Sequence, residues 1–135
     1  DAGKPGDTAP RVPRDRVRLM WTFDFYDGPV SGLAELDGEM LWFCLAEEAE
    51  EAELTEWYRR FWLVRLSRDE LTRLQRCARD FEAHVGTHWS GEGDGAAGHR
   101  RPESEHRKFY DKWPTGERGP AGLADCEVLA WFEAP

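Results

Sequence analysis

Asp37-Gly38 sits between two apolar segments, and this dipeptide commits the chain to an antiparallel hairpin. A two-residue type I′ turn needs positive φ at both central positions, which Asp-Gly supplies with little strain. Before it, VSGLAEL (residues 30–36) reads as a strand, and Gly32 inside it predicts a bulge or a close backbone approach. After it, EMLWFCLA (39–46) is almost continuously apolar. Such a run predicts burial on both faces and a central place in the sheet.

Upstream, VRLMWTFDFY (17–26) alternates with period two. Val17, Leu19, Trp21, Phe23 and Phe25 fall on one face, and Asp24 and Tyr26 share the more polar one. Asp27-Gly28-Pro29 ends this strand. WYRRFWLVRL (57–66) and CEVLAWFE (126–133) are a fourth and fifth strand. Ser67 and Glu70 form the S-x-x-E capping signature of a helix over 68–85, with Leu71, Leu74, Ala78, Phe81 and Val85 on one stripe and Gly86 as terminator. The glutamate-rich stretch 47–56 reads as a solvated loop or short helix. No period is sustained from Thr87 to Asp125, so a long loop precedes the last strand, with FYDKWP (109–114) packing back on the body. The expected fold is α+β: an antiparallel sheet of four to five strands on one main helix. Residues 1–15 form a flexible tail, and 16–135 a single domain of a size that one hydrophobic core can hold.

Charge narrows the partners. The chain carries a net charge of −9, and residues 47–56 hold six Glu and no base. That balance disfavours nucleic acid phosphates and suits a basic protein surface. No apolar run reaches the length of a membrane helix. The start lacks Met and a signal-peptide core, as a processed or vector-derived start would, and three widely spaced cysteines fit buried reduced thiols in the cytoplasm.

Several constellations carry possible chemistry. Asp24 and Tyr26, with His88, form a candidate acid–base cluster, the alternative being that the Asp24–Asp27 stretch is only a strand running into a turn. Cys77, His84 and His88 can be drawn as a zinc site, although Gly86 breaks the helix between the histidines. Without a zinc site no cofactor is expected. No nucleophile elbow, P-loop or dinucleotide fingerprint occurs, which favours a non-catalytic protein. HRKFYDKW (106–113) mixes bases with aromatics, and Tyr110, Asp111 and Trp113 join Glu47, Glu48, Glu50 and Glu51 as candidate binding residues.

The segments Asp24 to Gly32, Asp37-Gly38, Trp42-Phe43, His84 to His88 and Lys108 to Asp111 resemble a group of small uncharacterised bacterial proteins. More loosely, in size, charge and α+β class, the chain is similar to acidic immunity proteins that neutralise basic bacterial toxins. The expected function is a small acidic cytoplasmic binding protein that recognises another macromolecule. Two alternatives are a small enzyme or ligand binder using an Asp/Tyr/His pocket, and a DNA mimic.

Overall fold

The computed structural model describes residues 9–25, 29–50, 57–86 and 102–134. Five antiparallel strands neighbour one another in chain order: β1 (Val17–Phe25), β2 (Pro29–Leu36), β3 (Glu39–Glu50), β4 (Trp57–Arg65) and β5 (Glu127–Ala134). Helices α1 (Arg68–His84) and α2 (Glu103–Lys112) lie between β4 and β5 in sequence. The fold is α+β, and β3 takes the central position that its apolar run predicts.

Local chemistry sets the corners. Asp37 and Gly38 take φ of 51° and 88°, the positive values that the hairpin requires. Gly32 pairs with Thr22 of β1 and Phe43 of β3. A Cβ at Gly32 would lie 1.9 Å from the Trp21 carbonyl oxygen, so the close approach expected there is present.

The two sheet faces are buried in different ways. One face gathers Val17, Ala34, Leu41, Phe43, Phe61, Leu63, Ala130 and Phe132, from all five strands. Among the described residues only Val12 joins this cluster from outside the sheet, yet Phe43 and Leu63 are wholly buried. A flat sheet would leave such a face wet. Buried residues of its first and last strands, Val17 and Phe132, belong to this one cluster, so the sheet curls around it. Residues 10–12 fasten that curl: Val12 N–H donates to the Trp131 carbonyl at 2.8 Å, and Trp131 N–H donates to the Pro10 carbonyl at 3.0 Å. The convex face carries Leu33, Trp42 and Val64 against Leu74 of α1. A third cluster, Cys77, Val85, Phe109 and Trp113, joins α1 to α2.

The Ser67 hydroxyl accepts from Glu70 N–H at 3.2 Å and starts α1; Gly86, at φ 130°, follows its end. The Glu70 carboxylate is engaged elsewhere. Arg73 holds it in a bidentate pair at 2.8 and 2.9 Å, and Ala121 N–H donates to it at 2.7 Å. Arg73 also donates to the Glu117 and Gly119 carbonyls, so one ion pair fastens the segment before β5 to the helix. The Arg73 guanidinium, and then the Ala121 amide, hold the Glu70 carboxyl down to about 2, from an ordinary 4.5. A depressed folded-state pKa gives stability that is complete above about pH 4.5 and fades as pH falls toward 2. Glu70→Gln is expected to cost about 1 kcal/mol at pH 7, a modest figure because the pair is partly exposed. In urea unfolding across pH, the difference from the parent should shrink below pH 4 and vanish near pH 2.

Four expectations change. Residues 10–12, expected in a flexible tail, are hydrogen-bonded to β5, with Val12 buried in the concave core. The alternation in β1 does not keep its odd residues on one face. Leu19 pairs with Ala34 and Trp21 with Leu33, so Met20 is an extra residue that turns the strand over. Val17 and Leu19 face the concave core, whereas Trp21 and Phe23 pack toward the helices. The stretch read as a loop over 87–125 contains α2 and two 3-10 turns, at Thr115–Glu117 and Leu123–Asp125. Finally, β3 continues through Glu50 instead of breaking into a loop or helix at 47. Its register sets Glu47 opposite Arg60 and Glu48 opposite Arg59, an opposite-charge arrangement that favours strand pairing.

Candidate functional site

A cavity of about 560 Å³ lies along β1, and six successive residues of that strand, Leu19 to Asp24, border it. A strand shows alternate side chains to opposite faces, so a cavity on one face would meet every second residue. Contact with all six places it along the strand's edge. Among the described residues β1 pairs with β2 alone, which leaves its other edge toward the cavity.

The walls come from both layers of the fold. Phe43, Phe61 and Phe132 reach it from the concave core, and Cys77, Ala78, Phe81 and Phe109 from the helices. Phe61 stacks on Phe132 with centroids 5.1 Å apart, and Phe81 meets Phe109 edge to face at 5.1 Å. Their mutual packing fixes the walls.

Polar groups form the margin. Ser31 Oγ donates to Asp24 Oδ2 at 3.2 Å, so a buried hydroxyl orients an exposed carboxylate. Arg59 donates to the Pro29 carbonyl at 3.3 Å, and Arg14 to the Val17 carbonyl at 2.6 Å. Trp21 donates its indole N–H to Glu82 and ties β1 to α1. The Arg118 guanidinium lies 5.0 Å over the Tyr110 ring while its Nε donates to the Trp113 carbonyl at 2.9 Å. Tyr110, at 37 % relative exposure, presents a large apolar surface to solvent.

The residues singled out from sequence are distributed unevenly. Asp24 and Tyr110 border the cavity. Tyr26, His88 and Glu51 lie outside the described residues, and Glu47, Glu48 and Glu50 are placed only by their backbone in β3. Asp111 is exposed on α2. Trp113, expected at a contact surface, is instead 7 % exposed, and its indole N–H donates to Asp80 at 2.9 Å. It holds the two helices together. His84 Nδ1 lies 3.3 Å from Glu105 Oε1, a second tie between α1 and α2. Cys77 is packed among Val85, Phe109 and Trp113. Among the described residues no three His, Cys, Asp or Glu side chains gather as metal ligands would.

Burial pushes the Cys44 and Cys77 thiols up to about 11, which makes both poor nucleophiles at neutral pH although Cys77 borders the cavity. The aromatic walls, Arg14, Arg59 and Arg118 escape sequence reasoning as site residues. The helical stripe marks Ala78 and Phe81 as inward-facing, but nothing in it shows that they meet a cavity and not a neighbour.

No protein-family model, curated protein or solved structure matches this chain. Among the described residues, no helix is long and apolar enough to cross a membrane.

Proposed function

We propose that the protein is a small acidic cytoplasmic binding module that recognises another protein, with the cavity along β1 as its recognition site. One observation carries this reading: an aromatic cleft of about 560 Å³ opens beside a strand edge and is bordered by fixed charges. Its volume falls within the roughly 300–1,000 Å³ typical of binding pockets, and its lining combines aromatic walls with a comparable share of polar and charged surface. Net charge −9 favours a basic partner, in line with the immunity-type resemblance. The glutamates late in β3 would extend the contact, moderated by Arg60 and Arg59, which the register sets opposite Glu47 and Glu48. That interleaving of charge counts against a DNA mimic.

The same cleft supports a second reading, a binder of small organic ligands, because its size suits one. Both readings require the cleft to be open to a guest. Anilinonaphthalene sulfonate should bind the folded protein near one to one with enhanced fluorescence and an unchanged near-ultraviolet circular dichroism spectrum. Ala78→Trp, which places an indole in the cleft, should weaken that binding at least tenfold. Absence of any binding by the parent protein would end both readings.

A further inference from the structure

We infer that the cleft takes a small organic anion, an aromatic body bearing one carboxylate, and that Arg118 receives the carboxylate. The inference rests on the second reading above, in which a small ligand enters the cleft, and it names the class of that ligand.

Three features select this guest. First, the lining differs in sign from the rest of the molecule. The chain carries −9, yet Arg14, Arg59 and Arg118 line the cleft against two carboxylates, Asp24 and Glu82. Both carboxylates already accept a hydrogen bond, Asp24 from the Ser31 hydroxyl and Glu82 from the Trp21 indole. Three cations against two anions suit a guest with a single negative charge. A polyphosphate would be repelled by the two carboxylates and by the field of an acidic chain.

Second, Arg118 is fixed without being neutralised. Its half-buried side chain donates from Nε to the Trp113 carbonyl at 2.9 Å and from one Nη to the Thr115 hydroxyl at 2.8 Å, and the guanidinium lies 5.0 Å over the Tyr110 ring. Both acceptors are uncharged, and among the described residues no carboxylate forms an ion pair with it. The remaining donors of the planar fork match the two oxygens of a carboxylate. The charge is also felt at the cleft wall. At Cys77, burial raises the thiol while the Arg73 and Arg118 charges act in the opposite sense.

Third, the surface beside Arg118 is aromatic. Phe109 meets Phe81 and Tyr110 edge to face, at 5.1 Å in each case, and all three border the cleft with Arg118. Phe61 and Phe132 add a stacked pair from the concave layer. A planar ring entering this space can take up the same edge-to-face contacts, which an aliphatic chain cannot.

The test compares 1-naphthylacetate with 1-naphthylacetamide, which share a ring system and nearly a shape but differ in charge. In calorimetric titration of the full chain at low salt, the acid should bind one to one and about tenfold more tightly than the amide, with the gap narrowing as salt is raised. Arg118→Gln should weaken the acid about tenfold and leave the amide within about twofold, while Arg118→Lys should keep part of the preference. Ala78→Trp should weaken both probes, which ties them to the cleft. Equal affinities of acid and amide for the parent protein would overturn the inference even if Arg118→Gln fails to fold. A preference that survives Arg118→Gln would overturn the role of Arg118. If neither naphthyl probe binds while anilinonaphthalene sulfonate does, the carboxylate guest falls and the cleft stands as a binding site; if no probe binds, both readings fail.

Discussion

Gly32→Ala is expected to cost about 3 kcal/mol or more. The added Cβ would sit 1.9 Å from the Trp21 carbonyl oxygen and 2.9 Å from the Phe43 ring. The first obstacle is backbone, so no rotamer change relieves it. β1 would have to move away from β2, and the Thr22–Gly32 pairing lies between two of the three register shifts in the strand. In a chain of 135 residues this loss corresponds to a fall in Tm of roughly 10 °C, measurable by calorimetry. A variant as stable as the parent would show that the two strands are not in the contact described. Because Trp21 and Thr22 border the cleft, the same variant should also lose guest binding.

Phe109→Ala should cost about 3–5 kcal/mol, the range for deleting a buried aromatic ring. Phe109 is 2 % exposed and lies edge to face with both Phe81 and Tyr110, at 5.1 Å in each case. It is the one buried residue within α2. Removing it leaves that ten-residue helix attached by Trp113 and the ties to Asp80 and His84, and a helix so short is marginal without packing. Hydrogen exchange should therefore rise first in α2, with β3 and β4 amides still protected. Tyr110→Ala is the contrast. Its ring is substantially exposed, so the loss should stay near 1 kcal/mol or below. Denaturant unfolding of both variants checks the pair; equal losses would mean that α2 does not present Phe109 inward.

These expectations indicate where the sequence was informative. Asp37-Gly38 and Gly86 act through their own backbone and Ser67 through its hydroxyl on the Glu70 amide, and each signal is complete within a few residues, so the hairpin and the limits of α1 were legible. Helix α2 was not. ESEHRKFYDK buries a single residue, so it has no apolar stripe from which a period could be read. Its helicity depends on partners in α1, more than twenty positions away in sequence. The strand character of Glu47 to Glu50 was hidden for a similar reason, since their glutamates suggest solvent until the register sets Arg59 and Arg60 across from them.

β1 misled in a subtler way. Its alternation is real, but both faces of the sheet are apolar, so an extra residue at Met20 exchanges faces without disturbing the pattern of residue types. The cleft depends on that exchange, because it lets one strand present Leu19 to one layer and Trp21 and Phe23 to the other. Asp24 and Tyr110 could be chosen from sequence as polar and aromatic outliers. That they border the same space follows only from the packing of β1 against α1 and α2.

The pairing of residues 10–12 with β5 bears on how this molecule assembles. Positions 11 and 131 meet in one bridge, so the seam joins segments far apart in sequence. A ribosome-bound chain can form the β2–β3 hairpin early, yet the curl stays unfastened until the last strand emerges. Contacts of such long sequence separation form slowly. Until then the concave phenylalanines lack their final cover, and the incompletely folded protein would expose that surface to chaperones.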